Sequence, residues 1–168
     1  MKTKPKTEFA QWAENIAGPI VIDDDTGLPH DGLRPYLHAI NKGLQRFIDA
    51  QNKWNTYQTA LKEIKDGKKE THWIWFIFPQ MIGLGESEMS KFYGLTREEA
   101  EAYLEHPILK ERLIEATEAV INNEKDAYSI FGNDVVKFRS CMLLFASVSS
   151  EELDNNVFKE VLEKYGWK

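Results

Sequence analysis

Apolar residues recur every three or four positions along most of the chain beyond residue 35, which is the spacing of amphipathic helices. Helix starts are marked as well: Thr96–Glu99 is a capping-box pattern, and Pro107 suits a first helical turn. After a break at Gly132, Asn133 or Asp134 is expected to cap the next helix. The main apolar stripes are Leu37/Ile40/Leu44/Phe47/Ile48, Tyr57/Ala60/Leu61/Ile64 (ended by Gly67), Leu109/Leu113/Ala116/Val120 and Val135/Phe138/Met142/Phe145/Val148. The pattern predicts an all-α protein with a single multihelical globular domain.

One segment, His72–Phe78, is too apolar to be amphipathic and is rich in strand-forming residues. Ile20–Ile22 is the one candidate pairing partner for a strand there, and unpaired backbone groups are costly inside a core. The sequence therefore favours a buried aromatic central helix over a strand at this point.

The beginning of the chain differs in character from the rest. Phe9, Trp12 and Ile16 have helical spacing, which predicts a short helix over Glu8–Ala17. A loop rich in aspartate, glycine and proline follows it. We therefore expect an N-terminal helix and loop addition over residues 1–42 and a multihelical domain over residues 43–168.

Composition limits the classes of function. Acidic residues number 27 and basic residues 21, and a net charge of -6 disfavours non-specific nucleic-acid binding. One cysteine excludes an internal disulfide, and with four scattered histidines it predicts no metal site and no cofactor. No apolar run approaches the ~20 residues of a spanning helix, and no signal-peptide pattern precedes the helices. We expect a cytoplasmic protein with no membrane partner.

Candidate chemistry is concentrated between residues 67 and 139. His72 follows the basic pair Lys68-Lys69, which makes it a candidate general acid or base. Asp134 is the second candidate proton carrier in a hydrolase. The opposing interpretation is that His72 satisfies a turn, and that alternative stays open.

A glycine loop, Gly83–Ser87, has the composition of a segment that presents backbone N–H groups to an anion. Arg139 can clamp a phosphate or carboxylate with two hydrogen bonds. Structural roles remain open for all of these: core packing for Trp73, helix capping for Ser87, and ion pairing for Arg139. The candidate ligand-binding residues are Lys69, Trp73, Gln80, Gly83, Gly85, Ser87, Lys137 and Arg139.

Five runs together resemble the bacterial family catalogued as domain of unknown function 1810. They are Gly67–Gln80, Gly83–Ser87, Ala102–Pro107, Ile130–Gly132 and Arg139–Phe145. These match the family patterns Gly-x-Lys-x-x-His-Trp-x-Trp-Phe-Ile-Phe-Pro-Gln, Gly-Leu-Gly-x-Ser, Ala-Tyr-Leu-x-His-Pro, Ile-Phe-Gly and Arg-Ser-x-Met-x-Leu-Phe. The resemblance implies a multihelical fold of monomer size and no established activity, and nothing in these residues supports the calpastatin label that many members carry.

The residues favour a protein that binds a phosphorylated aromatic small molecule, such as a nucleotide or an ADP-ribose derivative, with hydrolysis left open. One alternative is a non-catalytic protein-interaction module whose partner is selected by the acidic surface. Another is a regulator that sequesters a nucleotide without turnover. Convergence of His72, Gln80, Ser87, Lys137 and Arg139 on one cavity would favour the ligand-binding hypotheses, and scatter would favour the interaction module.

Overall fold

The computed structural model describes residues 34–149 and 156–167, and within them every regular element is helical. The helices are α1 (Arg34–Asn52), α2 (Thr56–Asp66), α3 (Ile74–Ile77), α4 (Glu88–Tyr93), α5 (Arg97–Glu105), α6 (Pro107–Ile121), α7 (Ala127–Phe131), α8 (Val135–Val148) and α9 (Val157–Tyr165). Two 3₁₀ turns, Lys53–Asn55 and Gly132–Asp134, precede α2 and α8. The all-α prediction is confirmed. None of the described helices is long and apolar enough to cross a bilayer.

The chain divides into two units, Met1–Arg46 and Phe47–Lys168. The helix predicted over Glu8–Ala17 lies outside the described residues, and the expected division at residue 42 stays a prediction. All of the site geometry below belongs to the second unit.

Several helix ends follow the signals in the sequence. The Thr96 hydroxyl accepts a hydrogen bond from the backbone N–H of Glu99, and the Glu99 carboxylate accepts one from the backbone N–H of Thr96. Pro107 occupies the first turn of α6, and Gly67 ends α2 with a left-handed φ of 81°. These predictions are confirmed. Asp134 precedes α8 without making a side-chain cap, so the predicted cap is wrong at this residue.

The predicted central helix is present but is only one turn long. Trp73, which is not helical, precedes Ile74–Ile77, and Phe78 leaves the helix with φ −123° and ψ 73°. The proline that follows Phe78 disfavours helical backbone at that residue, which accounts for the early end. The segment is nevertheless buried as expected, since Trp73 and Phe78 are both fully inaccessible.

Aromatic rings from three elements pack around this central turn. Phe78 meets Phe138 edge to face at 5.0 Å between centroids, and Phe131 stacks on Phe138 at 4.6 Å. The ring of Trp73 contacts Phe131 at 6.2 Å. Such pairs add to the stability that apolar burial provides. This aromatic cluster joins α7 and α8 to the segment that carries the candidate site.

Candidate functional site

A single buried carboxylate holds the loop that leads into the central helix. The Glu63 carboxylate accepts hydrogen bonds from the backbone N–H groups of Glu70 (2.6 Å) and Thr71 (2.8 Å). It also accepts from the Thr71 hydroxyl (2.6 Å) and from the indole N–H of Trp73 (3.1 Å). These four contacts determine the course of the chain on both sides of His72.

The same contacts set the protonation of Glu63. Burial by itself raises the pKa of this carboxyl, but the hydrogen bonds from Thr71, Glu70 and Trp73 outweigh burial and lower the pKa below its ordinary value of 4.5. Glu63 therefore stays ionised at neutral pH. Its charge stabilises the loop rather than taking part in proton transfer.

His72 lies exposed on this loop and lines a cavity of about 470 Å³. The cavity is lined by residues of α1, of the turn before α2, of α2, of the His72 loop, of α3 and of α4. The described lining residues are Ala50, Lys53, Trp54, Thr56, Thr59, Thr71, His72, Trp73, Phe76, Met89 and Tyr93. A volume of this size suits a small organic ligand.

One wall of the cavity is aromatic. The rings of Phe76 and Tyr93 lie 5.2 Å apart at an interplanar angle of 55°, and Phe92 packs edge to face on Tyr93 at 4.7 Å. Met89, which is also a lining residue, adds an apolar thioether chain from the same helix. The wall can therefore receive an apolar, flat group.

A second wall is the turn between α1 and α2, which the sequence analysis did not select. Trp54 (φ 53°, ψ 31°) and Asn55 (φ 56°, ψ 36°) are consecutive left-handed residues. The Trp54 side chain is 84% exposed, and the Lys53 ammonium lies 4.4 Å from its ring centroid. Bulky residues rarely adopt positive φ, and asparagine is the one hint of such a turn that the sequence contains.

Lys69 is not among the described lining residues of this cavity and belongs to an ion-pair cluster. Its ammonium lies 3.1 Å from one carboxylate oxygen of Asp134, and Lys137 lies 3.2 Å from the other. The Lys69 side chain is only 7% exposed, and its ammonium also lies 5.1 Å from the Trp73 ring centroid. The cluster thus ties the His72 loop to the start of α8.

These pairs also determine the charge of Asp134. Partial burial raises the pKa of this carboxyl, while the hydrogen bonds from Lys69 and Lys137 prevail and lower it below 3.8. An ionised Asp134 bound to two ammonium groups has no proton to donate at neutral pH. Its arrangement is that of a structural ion pair, and the catalytic role stays a prediction.

The predicted glycine loop is a capped, closed turn. The Ser87 hydroxyl accepts a hydrogen bond from the backbone N–H of Ser90, which caps α4. At Gly85, a Cβ atom would lie 2.5 Å from the Ser90 hydroxyl oxygen, so close packing requires glycine. Gly83 has φ +93°, and a Cβ atom added there would meet open space. Gln80 is buried, and its main-chain oxygen accepts a hydrogen bond from the backbone N–H of Leu95.

The predicted site residues are therefore divided among four places. His72 and Trp73 line the cavity, Lys69, Lys137 and Asp134 form the ion-pair cluster, and Gln80 begins the glycine loop with Gly83, Gly85 and Ser87. Arg139 is exposed on α8 and is not among the described residues that line the cavity. The described part of the chain contains no group of three His, Cys, Asp or Glu residues able to hold a metal ion.

These features define a helical protein with a surface cavity beside the turn that carries Trp54. The chain belongs to the family described as protein of unknown function (DUF1810), whose sequence profile matches residues 41–167, and the predicted membership is confirmed. Its structure is similar to that of the conserved hypothetical protein Rv1873 from Mycobacterium tuberculosis, at 40% sequence identity and a TM-score of 0.68. That similarity covers 74% of this chain and 89% of the other. No curated protein matches the chain.

Proposed function

We propose that this protein binds a phosphorylated aromatic small molecule, of the nucleotide or ADP-ribose class, in the cavity beside His72. One observation carries the proposal: a single cavity of about 470 Å³ is lined both by aromatic rings and by nitrogen donors. The rings are those of Trp54, Phe76 and Tyr93, and the donors are Lys53 and His72. Aromatic rings stack on a flat base, and nitrogen donors bind the attached phosphate.

The charge of the lining supports an anionic ligand. Lys53 supplies an ammonium group, His72 an imidazole and Thr59 a hydroxyl group. The Thr56 and Thr71 hydroxyls also line the cavity, but they donate to the Lys53 main-chain oxygen and to the Glu63 carboxylate. None of the described lining residues is acidic. A phosphate in the cavity therefore meets donors and no carboxylate from those residues, which favours binding despite the net negative charge of the chain.

We place binding ahead of hydrolysis. His72 is the one predicted proton carrier among the described lining residues, and a carboxylate that could orient its imidazole is not among them. Asp134 is engaged by Lys69 and Lys137. A protein that holds a nucleotide without turnover, and so acts as a sequestering regulator, has the same geometry.

The test is a thermal-melting series with nucleotides, NAD and ADP-ribose. A ligand present at ~100 times its dissociation constant stabilises the folded state by roughly 2.7 kcal/mol, which raises the melting temperature by several degrees. His72→Ala and Lys53→Ala should each reduce the shift, while the exposed Lys159→Ala on α9 should retain it. Phosphorus NMR of the same mixtures detects turnover. An absence of any shift with every compound would remove the proposal.

A second candidate function, protein interaction, is favoured by two observations. Of the five residues whose convergence would favour ligand binding (His72, Gln80, Ser87, Lys137 and Arg139), only His72 is a described lining residue of the cavity, and the chain also exposes an apolar surface beside it. Residues 81–92 expose large apolar side chains, with Leu84 61% and Phe92 59% accessible. Cross-linking and mass spectrometry in a cell extract, comparing the wild type with Leu84→Ser, test this function. Val136→Ser is the matched control, since Val136 is 66% exposed on α8. Loss of a specific partner in the Leu84 variant alone would support it, and equal capture by both variants would oppose it.

A further inference from the structure

The turn that carries Trp54 combines strained backbone with a side chain that gains little stabilisation from burial. Trp54 and Asn55 both adopt left-handed backbone, a conformation that glycine accepts and bulky residues avoid. The Trp54 side chain then receives little compensation from burial, because it is 84% exposed. Strained backbone of this kind persists where function requires a side chain at a particular position.

The position of Trp54 suits contact with a flat ligand. Its side chain lines the same cavity as His72, Phe76 and Tyr93. The Lys53 ammonium lies over one face of the indole, 4.4 Å from its centroid, so stacking of a base uses the opposite face. The Thr56 hydroxyl donates to the main-chain oxygen of Lys53 at 2.5 Å, which helps to hold the turn. The wall therefore pairs an aromatic face with an adjacent cation.

We infer that Trp54 is the specificity-determining residue of the cavity: its indole stacks on the base of the nucleotide, and Lys53 pairs with the phosphate on the ribose. The inference rests on the proposed function. It adds that the site selects its ligand by the base rather than by the sugar phosphate. Stacking tolerates different bases because every base has a π-face, so the site requires a flat ring rather than one particular hydrogen-bonding edge.

The experiment compares two probes that share a ribose and a phosphate and differ in the base, adenosine 5′-monophosphate and ribose 5-phosphate. Isothermal titration calorimetry measures both dissociation constants. We expect the wild type to bind the adenosine probe at least about tenfold more tightly than the sugar phosphate. Trp54→Ala should remove most of that ratio by weakening the adenosine probe alone, and Trp54→Phe should retain most of it.

Two controls separate stacking from a general disturbance. Tyr128→Ala removes another exposed aromatic ring, which is 65% accessible and is not a described lining residue, and should leave the ratio unchanged. Asn55→Gly keeps the left-handed turn with a residue that accepts positive φ, and should preserve both affinities. Melting curves verify that each variant is folded.

The outcomes are distinct. If the wild type binds the adenosine probe and Trp54→Ala leaves the ratio of the two dissociation constants unchanged, the inference is overturned and the proposed function stands. Equal weakening of both probes in Trp54→Ala also overturns the inference, since stacking acts on the base alone. Failure of both probes to bind the wild type, with no nucleotide in the melting series producing a shift, overturns the proposed function and the inference together.

Discussion

The indole N–H of Trp73 donates a hydrogen bond to the Glu63 carboxylate across 3.1 Å, and so joins the last part of α2 to the start of the central turn. Glu70 and Thr71 donate their backbone N–H groups to the same carboxylate. The path of the chain around His72 thus depends on one ionised side chain. The consequences can be measured as changes in stability.

Replacing Glu63 with glutamine should lower the free energy of unfolding by roughly 1–3 kcal/mol. A neutral amide is a weaker acceptor than a carboxylate, and its NH₂ group cannot accept from the donors on Thr71 and Trp73. Urea unfolding followed by circular dichroism gives the difference. Glu160→Gln makes the same change of charge at an exposed site on α9 and should be nearly neutral. Equal effects of the two substitutions would contradict the role given to Glu63.

The stability of the protein should fall in acid, in part through Glu63. Its pKa in the folded state lies below the ordinary 4.5, so the unfolded chain takes up the proton first as the pH falls. The contribution is fully present above the unfolded pKa and is lost as the pH decreases through the folded pKa. Unfolding free energies measured between about pH 3 and pH 7 should therefore decline less steeply in acid for Glu63→Gln than for the wild type. Parallel curves would rule out this linkage.

Asp134→Asn should destabilise the protein by about 2 kcal/mol, because it leaves the nearly buried Lys69 ammonium without its carboxylate. Lys137→Met should cost less than about 1 kcal/mol, since Lys137 is 32% exposed and water can solvate it. The double variant Lys69→Met/Asp134→Asn should recover part of the loss, because it removes the unpaired charge. A double-mutant cycle by urea unfolding measures this coupling, and strictly additive effects would argue against it.

The thiol of Cys141 should be unreactive in the folded protein. It is fully buried on α8, and burial raises the pKa of the thiol well above its ordinary value. Iodoacetamide should leave the native protein unlabelled under conditions that label the urea-unfolded chain completely, as mass spectrometry would record. Equal labelling rates in the two states would show that the α8 face opens readily.

Local patterns predicted much of the helical structure, because the spacing of apolar residues and the residues at helix ends act within one or two turns. Thr96 and Glu99 form their capping box as predicted, and Gly67 ends α2. Asp134 does not form the expected cap. Its backbone is helical (φ −71°, ψ −4°) rather than extended, and its carboxylate pairs with Lys137 and with Lys69, which is distant in sequence.

The candidate site was less accessible to sequence reasoning. His72 and Trp73 were selected and do line the cavity, whereas Trp54 was missed because helical periodicity gives no sign of a left-handed turn. Candidates that are adjacent in sequence also belong to different sites. Lys69 and His72 are three residues apart, yet Lys69 forms an ion pair with Asp134 and His72 lines the cavity.

By itself, the sequence determined the helical class, several helix boundaries and membership of the family, since these follow from short-range spacing and from runs of matching residues. Only the tertiary structure decided which polar groups form hydrogen bonds and ion pairs between segments and which line the cavity. Contacts such as those of Glu63 with Trp73 and of Lys69 with Asp134 depend on how separate segments pack. Those contacts engage Glu63, Lys69 and Asp134, whereas Trp54, Lys53 and His72 line the cavity.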